Sequence, residues 1–151
     1  MKLHQLVYYS RNCMPGDDRQ LLQELRSIIT VSQRNNQRDG ITGYLIFDKH
    51  YFLQILEGNR DTIFTTYKRI QGDSRHSTVT LMQTREIGAR GFPQWTMGGS
   101  MRSPEKQEIF LRYGIADHID ATKLTAGTVL ALAEDLQDFE TAQKSALRKA
   151  G

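Results

Sequence analysis

Hydrophobic and polar residues alternate from Leu3 to Ser10, and this period of two is typical of a β-strand with two different faces. Leu6 and Tyr8 fall on one face of the predicted strand, whereas Val7 and Tyr9 fall on the other. We therefore predict that the chain opens with a strand that presents its two adjacent tyrosines to opposite sides of a sheet.

Apolar residues then recur at helical spacing through residues 18–34, which predicts an amphipathic helix. The adjacent Asn35 and Asn36 are expected to end this helix, because asparagine competes for backbone hydrogen bonds and favours helix ends. Asp39 and Gly40 follow, and this dipeptide indicates a turn.

The remaining pattern predicts two strands joined by a short hairpin, a second helix, two further strands and two C-terminal helices. These elements are expected at residues 41–47, 51–56, 59–71, 78–87, 95–101, 103–113 and 125–149. The order βαββαββ predicts an α+β, ferredoxin-like fold with a five-stranded mixed sheet and helices on one face. The C-terminal helices have apolar stripes that need burial, so we expect them to pack on the bare face of the sheet.

The chain has 151 residues, and its 25% charged and 38% hydrophobic residues are ordinary for a globular domain. The net charge of +3 is spread along the chain, so it does not favour a nucleic-acid partner. Cys13 is the only cysteine, which excludes an internal disulfide. The chain lacks the apolar run of a signal peptide or a membrane span, so we expect a cytoplasmic protein without membrane contact.

Three amides are unusual for a plain core. Gln54 interrupts an apolar strand, where an unpaired amide would cost about 1–3 kcal/mol. Asn35 and Asn36 lie at the predicted end of the first helix. Their convergence suggests a flat, polar-edged ligand that both donates and accepts hydrogen bonds. From strand position alone, the simpler interpretation is that Gln54 is a satisfied buried amide and Tyr8 a core tyrosine, although alternation allows the two side chains to meet across the sheet.

Several separated motifs occur in order along the chain: L-V-Y-Y-S, N-N-x-x-x-G-I-T-G, F-L-Q-I-L-E-G, D-S-R-H and F-P-Q-W-T-M. Together they closely resemble the BLUF domain, the flavin-based blue-light sensor. The resemblance covers about residues 2–101. We therefore expect a flavin-binding domain over residues 1–102 and a C-terminal helical extension over residues 103–151.

The resemblance implies roles for residues on both predicted helices. Asn36, with Asn35 beside it, matches the amide that holds the pyrimidine edge of the flavin ring, where C4=O, N3–H and C2=O require a donor and an acceptor together. Ile28 and Ile70 match the aliphatic residues that sandwich the ring. In isolation, the asparagines would indicate only a helix end and the isoleucines only helix core.

Arg69, Asp73, Arg75 and His76 lie near the end of the second predicted helix. By resemblance this region contacts the ribityl chain and the phosphates, with His76 near the ring, and a guanidinium suits a diphosphate through bidentate hydrogen bonds. Solvated surface charge is the alternative for each of these residues.

Trp95 and Met97 share a face of the last predicted strand. The resemblance identifies them as the semi-conserved signalling pair that exchange places near the flavin, whereas the residues alone allow a simple core role. Which of the two lies inside is left open. The four histidines show no ligand spacing, so no metal site is expected.

The resemblance implies a non-enzymatic photoreceptor that binds FAD without a covalent bond, although the residues alone do not distinguish FAD from FMN. Blue light excites the flavin, Tyr8 gives an electron and then a proton, and Gln54 relays the proton. After recombination, Gln54 has rotated or changed tautomer, its hydrogen bond to flavin C4=O is stronger, and absorption shifts to the red. We expect the output to pass to a downstream signalling protein in trans or through a homo-oligomer.

Two other functions remain open from the residues. One is a small flavin-dependent oxidoreductase, which is disfavoured because a site closed around the pyrimidine edge leaves no evident substrate pocket. The other is a flavin-free ferredoxin-like module that binds a partner. The colour of the purified protein and a light-minus-dark spectrum would separate the three.

Overall fold

The computed structural model describes residues 2–74, 76–93, 98–101 and 104–150. The chain forms, in order, β1 (Leu3–Asn12), α1 (Asp18–Asp39), β2 (Thr42–Phe47), β3 (Tyr51–Asn59), α2 (Arg60–Gln71), β4 (His76–Ile87), β5 (Gly98–Met101), α3 (Pro104–Arg112) and α4 (Ala126–Ala150). A short 3-10 turn at Ala121–Lys123 lies in the predicted connector before α4. The predicted α+β class is confirmed.

The regular sheet has four antiparallel strands in the order β4-β1-β3-β2. β5 adds a four-residue segment that runs parallel to β2, with Gly98 opposite Tyr44 and Met101 opposite Phe47. The prediction of a five-stranded sheet therefore holds only in part. The last strand is short and begins with two glycines, which weaken strand pairing. The predicted residues 95–97 of that strand, and the predicted helix cap at Ser103, lie outside the described residues.

The predicted end of α1 is wrong. The helix continues through the asparagine pair to Asp39, and it ends at Gly40, which is left-handed with φ 70°. The Gly40 and Ile41 N–H groups donate to carbonyls of the last turn, with Ile41 reaching the Asn36 carbonyl at 2.8 Å. A glycine in this conformation closes a helix without steric penalty, and this closure outweighs the weak local preference of asparagine.

The sheet separates two hydrophobic cores. One core lies against α1 and α2 and includes Leu6, Tyr8 and Phe52. The other lies against α3 and α4 and includes Val7 and Leu53. The alternation of β1 is thus confirmed, and α3 and α4 cover the face that α1 and α2 leave free.

No helix among the described ranges is long and apolar enough to cross a membrane. Within the same ranges, no group of three or more His, Cys, Asp or Glu side chains is placed to hold a metal ion.

Candidate functional site

Tyr8 and Gln54 are the centre of the candidate site. They are direct partners in the antiparallel ladder between β1 and β3, and the Tyr8 hydroxyl donates to Gln54 Oε1. The two residues are only 2% and 8% exposed. The predicted meeting of these side chains across the sheet is confirmed.

Burial raises the pKa of the Tyr8 phenol well above its ordinary value, because the phenolate would lose its hydration. Tyr67 and Asp73 add smaller effects in the same direction. The ring of Tyr67, on α2, lies 5.3 Å from that of Tyr8 at a tilt of 59°. Tyr8 is therefore held neutral, with its proton directed toward Gln54.

A cleft of about 570 Å³, counted to its open mouth, lies over this pair on the side of α1 and α2. It is lined by Tyr8, Ile28, Ser32, Leu45, Phe52, Gln54, Ile70, Asp73 and His76. Ile28 on α1 and Ile70 on α2 are both half-buried, so the cleft has an aliphatic residue from each helix.

An adjoining cleft of about 700 Å³ extends along the end of α1. It is lined by Val31, Ser32, Asn35, Asn36, Gln54, Leu56, Thr66, Arg69, Ile70 and Asp73. Both clefts share Gln54 and Ile70, so the three amides predicted to converge line one continuous region. Asn36 is 4% exposed, whereas Asn35 is half-buried.

The residues at the end of α2 differ in their placement. Arg69 is exposed and Asp73 half-buried, and both line the second cleft. The hydrogen bond from Arg38 holds the pKa of the Asp39 carboxyl below its usual range, and the charge of Arg69 adds a smaller effect in the same direction. Arg75 lies outside the described residues, as do Trp95 and Met97.

His76 joins β4 to two neighbouring elements. Its Nε2 lies 2.5 Å from the Ile70 carbonyl and its Nδ1 lies 2.8 Å from the Ser10 hydroxyl. A carbonyl only accepts, so Nε2 carries the proton and, in the neutral ring, Nδ1 accepts from Ser10. The ring is thereby oriented edge-on to Phe52, with the centroids 6.1 Å apart.

Sequence reasoning missed several residues around the site. Ser10 falls on the same strand face as Tyr8, and Ser32 lies one helical turn after Ile28, so both carried a periodic signal. Tyr67 falls within the second helix, which the sequence predicts over residues 59–71. Nothing in the local sequence indicates that its ring lies against Tyr8, because the contact joins residues far apart in the chain.

The donor set suits an isoalloxazine ring. Asn36 and Gln54 each carry a carbonyl and an NH₂ group, which match an edge with alternating acceptors and a donor. Two isoleucines line the cleft between the helices, and a flat apolar ring can pack between such side chains. Arg69 lies at the rim, where a phosphate would remain near solvent. The residues present therefore fit a flavin.

Comparison with protein families gives a match over residues 3–98 to the family BLUF, described as sensors of blue-light using FAD. The photoactivated adenylate cyclase subunit beta of Euglena gracilis is 35% identical over 75 residues, which make up 49% of this chain and 9% of that protein. The blue light- and temperature-regulated antirepressor BluF of Escherichia coli (strain K12) is 27% identical over 75 residues, or 50% of this chain and 19% of that protein. The chain thus matches only a small part of each relative.

Solved structures extend the similarity to most of the chain. The photo-activated state of BlsA superposes with a TM-score of 0.76 and 27% identity, over 89% of this chain and 94% of that chain. The dark state structure of BlrB, a BLUF protein, gives a TM-score of 0.74 and 25% identity, over 89% and 93% of the two chains. Both superpositions cover most of this chain.

Proposed function

This chain belongs to the BLUF family of blue-light sensors that use FAD, and from that premise we propose that Tyr8 and Gln54 form its light-operated switch. The observation that carries the proposal is the buried hydrogen bond from the Tyr8 hydroxyl to Gln54 Oε1 at the base of the cleft. An oxidisable phenol and an amide that can exchange its donor and acceptor positions by rotation thus form one hydrogen-bonded unit next to the space for the chromophore.

FAD supplies the absorption of blue light and an excited state that takes up an electron. We assign Asn35 and Asn36 to its pyrimidine edge, and Ile28 and Ile70 to the two sides of its ring. Arg69 and Asp73, together with Arg75 and His76 that follow them in the sequence, are assigned to the ribityl chain, the phosphates and the ring edge.

Tyr8 is neutral at rest, so it gives up an electron first and its hydroxyl proton second. The proton leaves along the existing hydrogen bond to Gln54 Oε1. Both the electron and the proton then return to Tyr8, so no net oxidation remains. Gln54 is left rotated or as the other tautomer, and it presents a different set of donors and acceptors to the cleft.

A rearranged hydrogen bond carries on the order of 1 kcal/mol, so the output has to bias an element that is already nearly balanced. We assign this role to Trp95, Met97 and the strand that they lead into, with the C-terminal helices beyond it. The division of labour is then a flavin-binding part over residues 1–102 and an output part over residues 103–151. The sheet order β4-β1-β3-β2 supports a ferredoxin-like arrangement for the first part.

We place the chain among sensors rather than enzymes, and we propose that it acts on a downstream protein in trans, with self-association as a second route. The relatives support a signalling role, since one is a photoactivated cyclase subunit and another a light-regulated antirepressor.

The test is the absorption spectrum of the purified full chain in the dark and after blue light. The proposal predicts a yellow protein whose flavin bands shift reversibly to the red. A colourless protein that does not take up added FAD would favour the flavin-free binding module. Flavin bands that stay bleached while an added electron donor is consumed would favour an oxidoreductase instead.

A further inference from the structure

Arg90, in the loop after β4, makes three hydrogen bonds to three different elements. Its guanidinium donates to the Gly40 carbonyl at 2.8 Å, to the Thr42 hydroxyl at 2.7 Å and to the Glu57 carbonyl at 2.9 Å. Gly40 caps the end of α1, one turn after Asn36. Arg90 therefore holds the end of α1, which carries Asn35 and Asn36, against β2 and β3.

The next two residues of the loop contact the opposite side of the sheet. Their N–H groups donate to the fully buried carboxylate of Glu57, from Gly91 at 3.1 Å and from Phe92 at 2.9 Å. The Gly91 carbonyl accepts a hydrogen bond from Gln137 on α4, at 3.3 Å. The Phe92 ring is buried in the core beneath α3 and α4. One short loop thus joins the end of α1 to the C-terminal helices.

We propose that Arg90 is a positioning residue that couples the flavin-holding end of α1 to α4 through the loop of residues 90–92. The inference rests on the proposed function, because the amides of α1 are assigned to the flavin there. A guanidinium suits this role, since its planar fork donates to several fixed acceptors at once, whereas an ammonium has no such fixed set. Movement of the last turn of α1 then shifts Gly91 and, through Gln137, α4.

The experiment follows amide hydrogen exchange in the FAD-loaded full chain, in the dark and under blue light. Two peptides are compared, one around Gly40 and one around Gln137. In the wild type, light should change exchange in both. In Arg90→Ala the red shift should remain, but the light-dependent change in exchange around Gln137 should fall at least about tenfold. This is the factor in an equilibrium constant that corresponds to the loss of one charge-assisted hydrogen bond.

Three controls separate coupling from mere anchoring. Arg19→Ala removes the same charge from an exposed position at the start of α1 and should behave like the wild type. Arg90→Lys keeps the charge without the fork and should restore only a part of the coupling. Millimolar guanidinium added to Arg90→Ala should restore the light response around Gln137, whereas the same concentration of ammonium should not.

An Arg90→Ala variant that transmits the light response to α4 as fully as the wild type would overturn the proposal. A wild type without any red shift would instead refute the proposed switch. In that case the role of Arg90 is tested in the dark, by the effect of FAD binding on hydrogen exchange. Coupling predicts that added FAD changes exchange around Gln137 in the wild type and not in Arg90→Ala. Equal FAD-induced changes in the two proteins would show that Arg90 couples nothing.

Discussion

Tyr8 and Gln54 face each other across two adjacent antiparallel strands, and the tyrosine hydroxyl donates to the amide oxygen. Each side chain holds the other in place, because a buried phenol needs an acceptor and a buried amide needs its groups paired. Tyr9, the next residue, is opposite Leu53 and packs in the other core. The switch therefore depends on which face of β1 a tyrosine occupies.

Replacing either partner should abolish the red shift without emptying the site. Tyr8→Phe keeps the ring and nearly all of its volume, but it lacks the hydroxyl and is much harder to oxidise. Gln54→Leu removes both the donor and the acceptor of the amide. Light-minus-dark spectra of the two variants should show bound flavin and no reversible red shift. Tyr9→Phe is the matched control and should photocycle, so loss of the shift in this variant alone would overturn the assignment.

The face of each strand was predictable from the sequence because it depends on a period of two. Alternation placed Tyr8 and Gln54 toward the same helices, and the register then brought them together. The end of α1 was not predictable from asparagine preference. Asn36 is buried in the folded chain, and the cap at Gly40 decides where the helix stops.

Contacts that join distant segments left no local signal. The Ser10 hydroxyl meets His76 across 66 residues of sequence, and Arg90 reaches Thr42 across 48. Glu57 looked like the last polar residue of a motif, yet it is fully buried and accepts hydrogen bonds from two loop N–H groups. Such pairs depend on how the strands are ordered in the sheet, which one sequence does not specify residue by residue.

Asn36→Ala should weaken FAD binding by roughly ten- to a hundredfold, because about 1–3 kcal/mol is lost when a polar edge is left unpaired. Equilibrium titration of the apo protein with FAD measures the change. Gln37→Ala is the matched control, since it removes an amide from the next, exposed position of the same helix. Equal affinities in the two variants would remove Asn36 from the flavin site.

The C-terminal helix α4 should contribute to stability through its buried leucines. Leu136 is 0% exposed in the core shared with the sheet, so Leu136→Ala should lower the free energy of unfolding by about 2–5 kcal/mol. Leu147, 74% exposed on the same helix, is the control, and its replacement by alanine should change stability by less than about 0.5 kcal/mol. Urea unfolding measures both. Similar values for the two variants would mean that α4 is not part of the folding unit.

The raised pKa of Tyr8 should make the protein lose stability in alkaline solution. Below pH ~10 the phenol is protonated in both the folded and the unfolded chain, so it adds no pH dependence there. Above that pH the unfolded chain releases the proton while the folded chain retains it, and the free energy of unfolding falls by up to about 1.4 kcal/mol per pH unit. Tyr8→Phe should reduce the slope of this decline by close to the contribution of one proton per molecule, whatever its effect on stability at neutral pH. Urea unfolding of the wild type and of Tyr8→Phe between pH 9 and about 11 measures the slopes, and an unchanged slope in Tyr8→Phe would mean that Tyr8 ionises as easily in the folded chain as in the unfolded one.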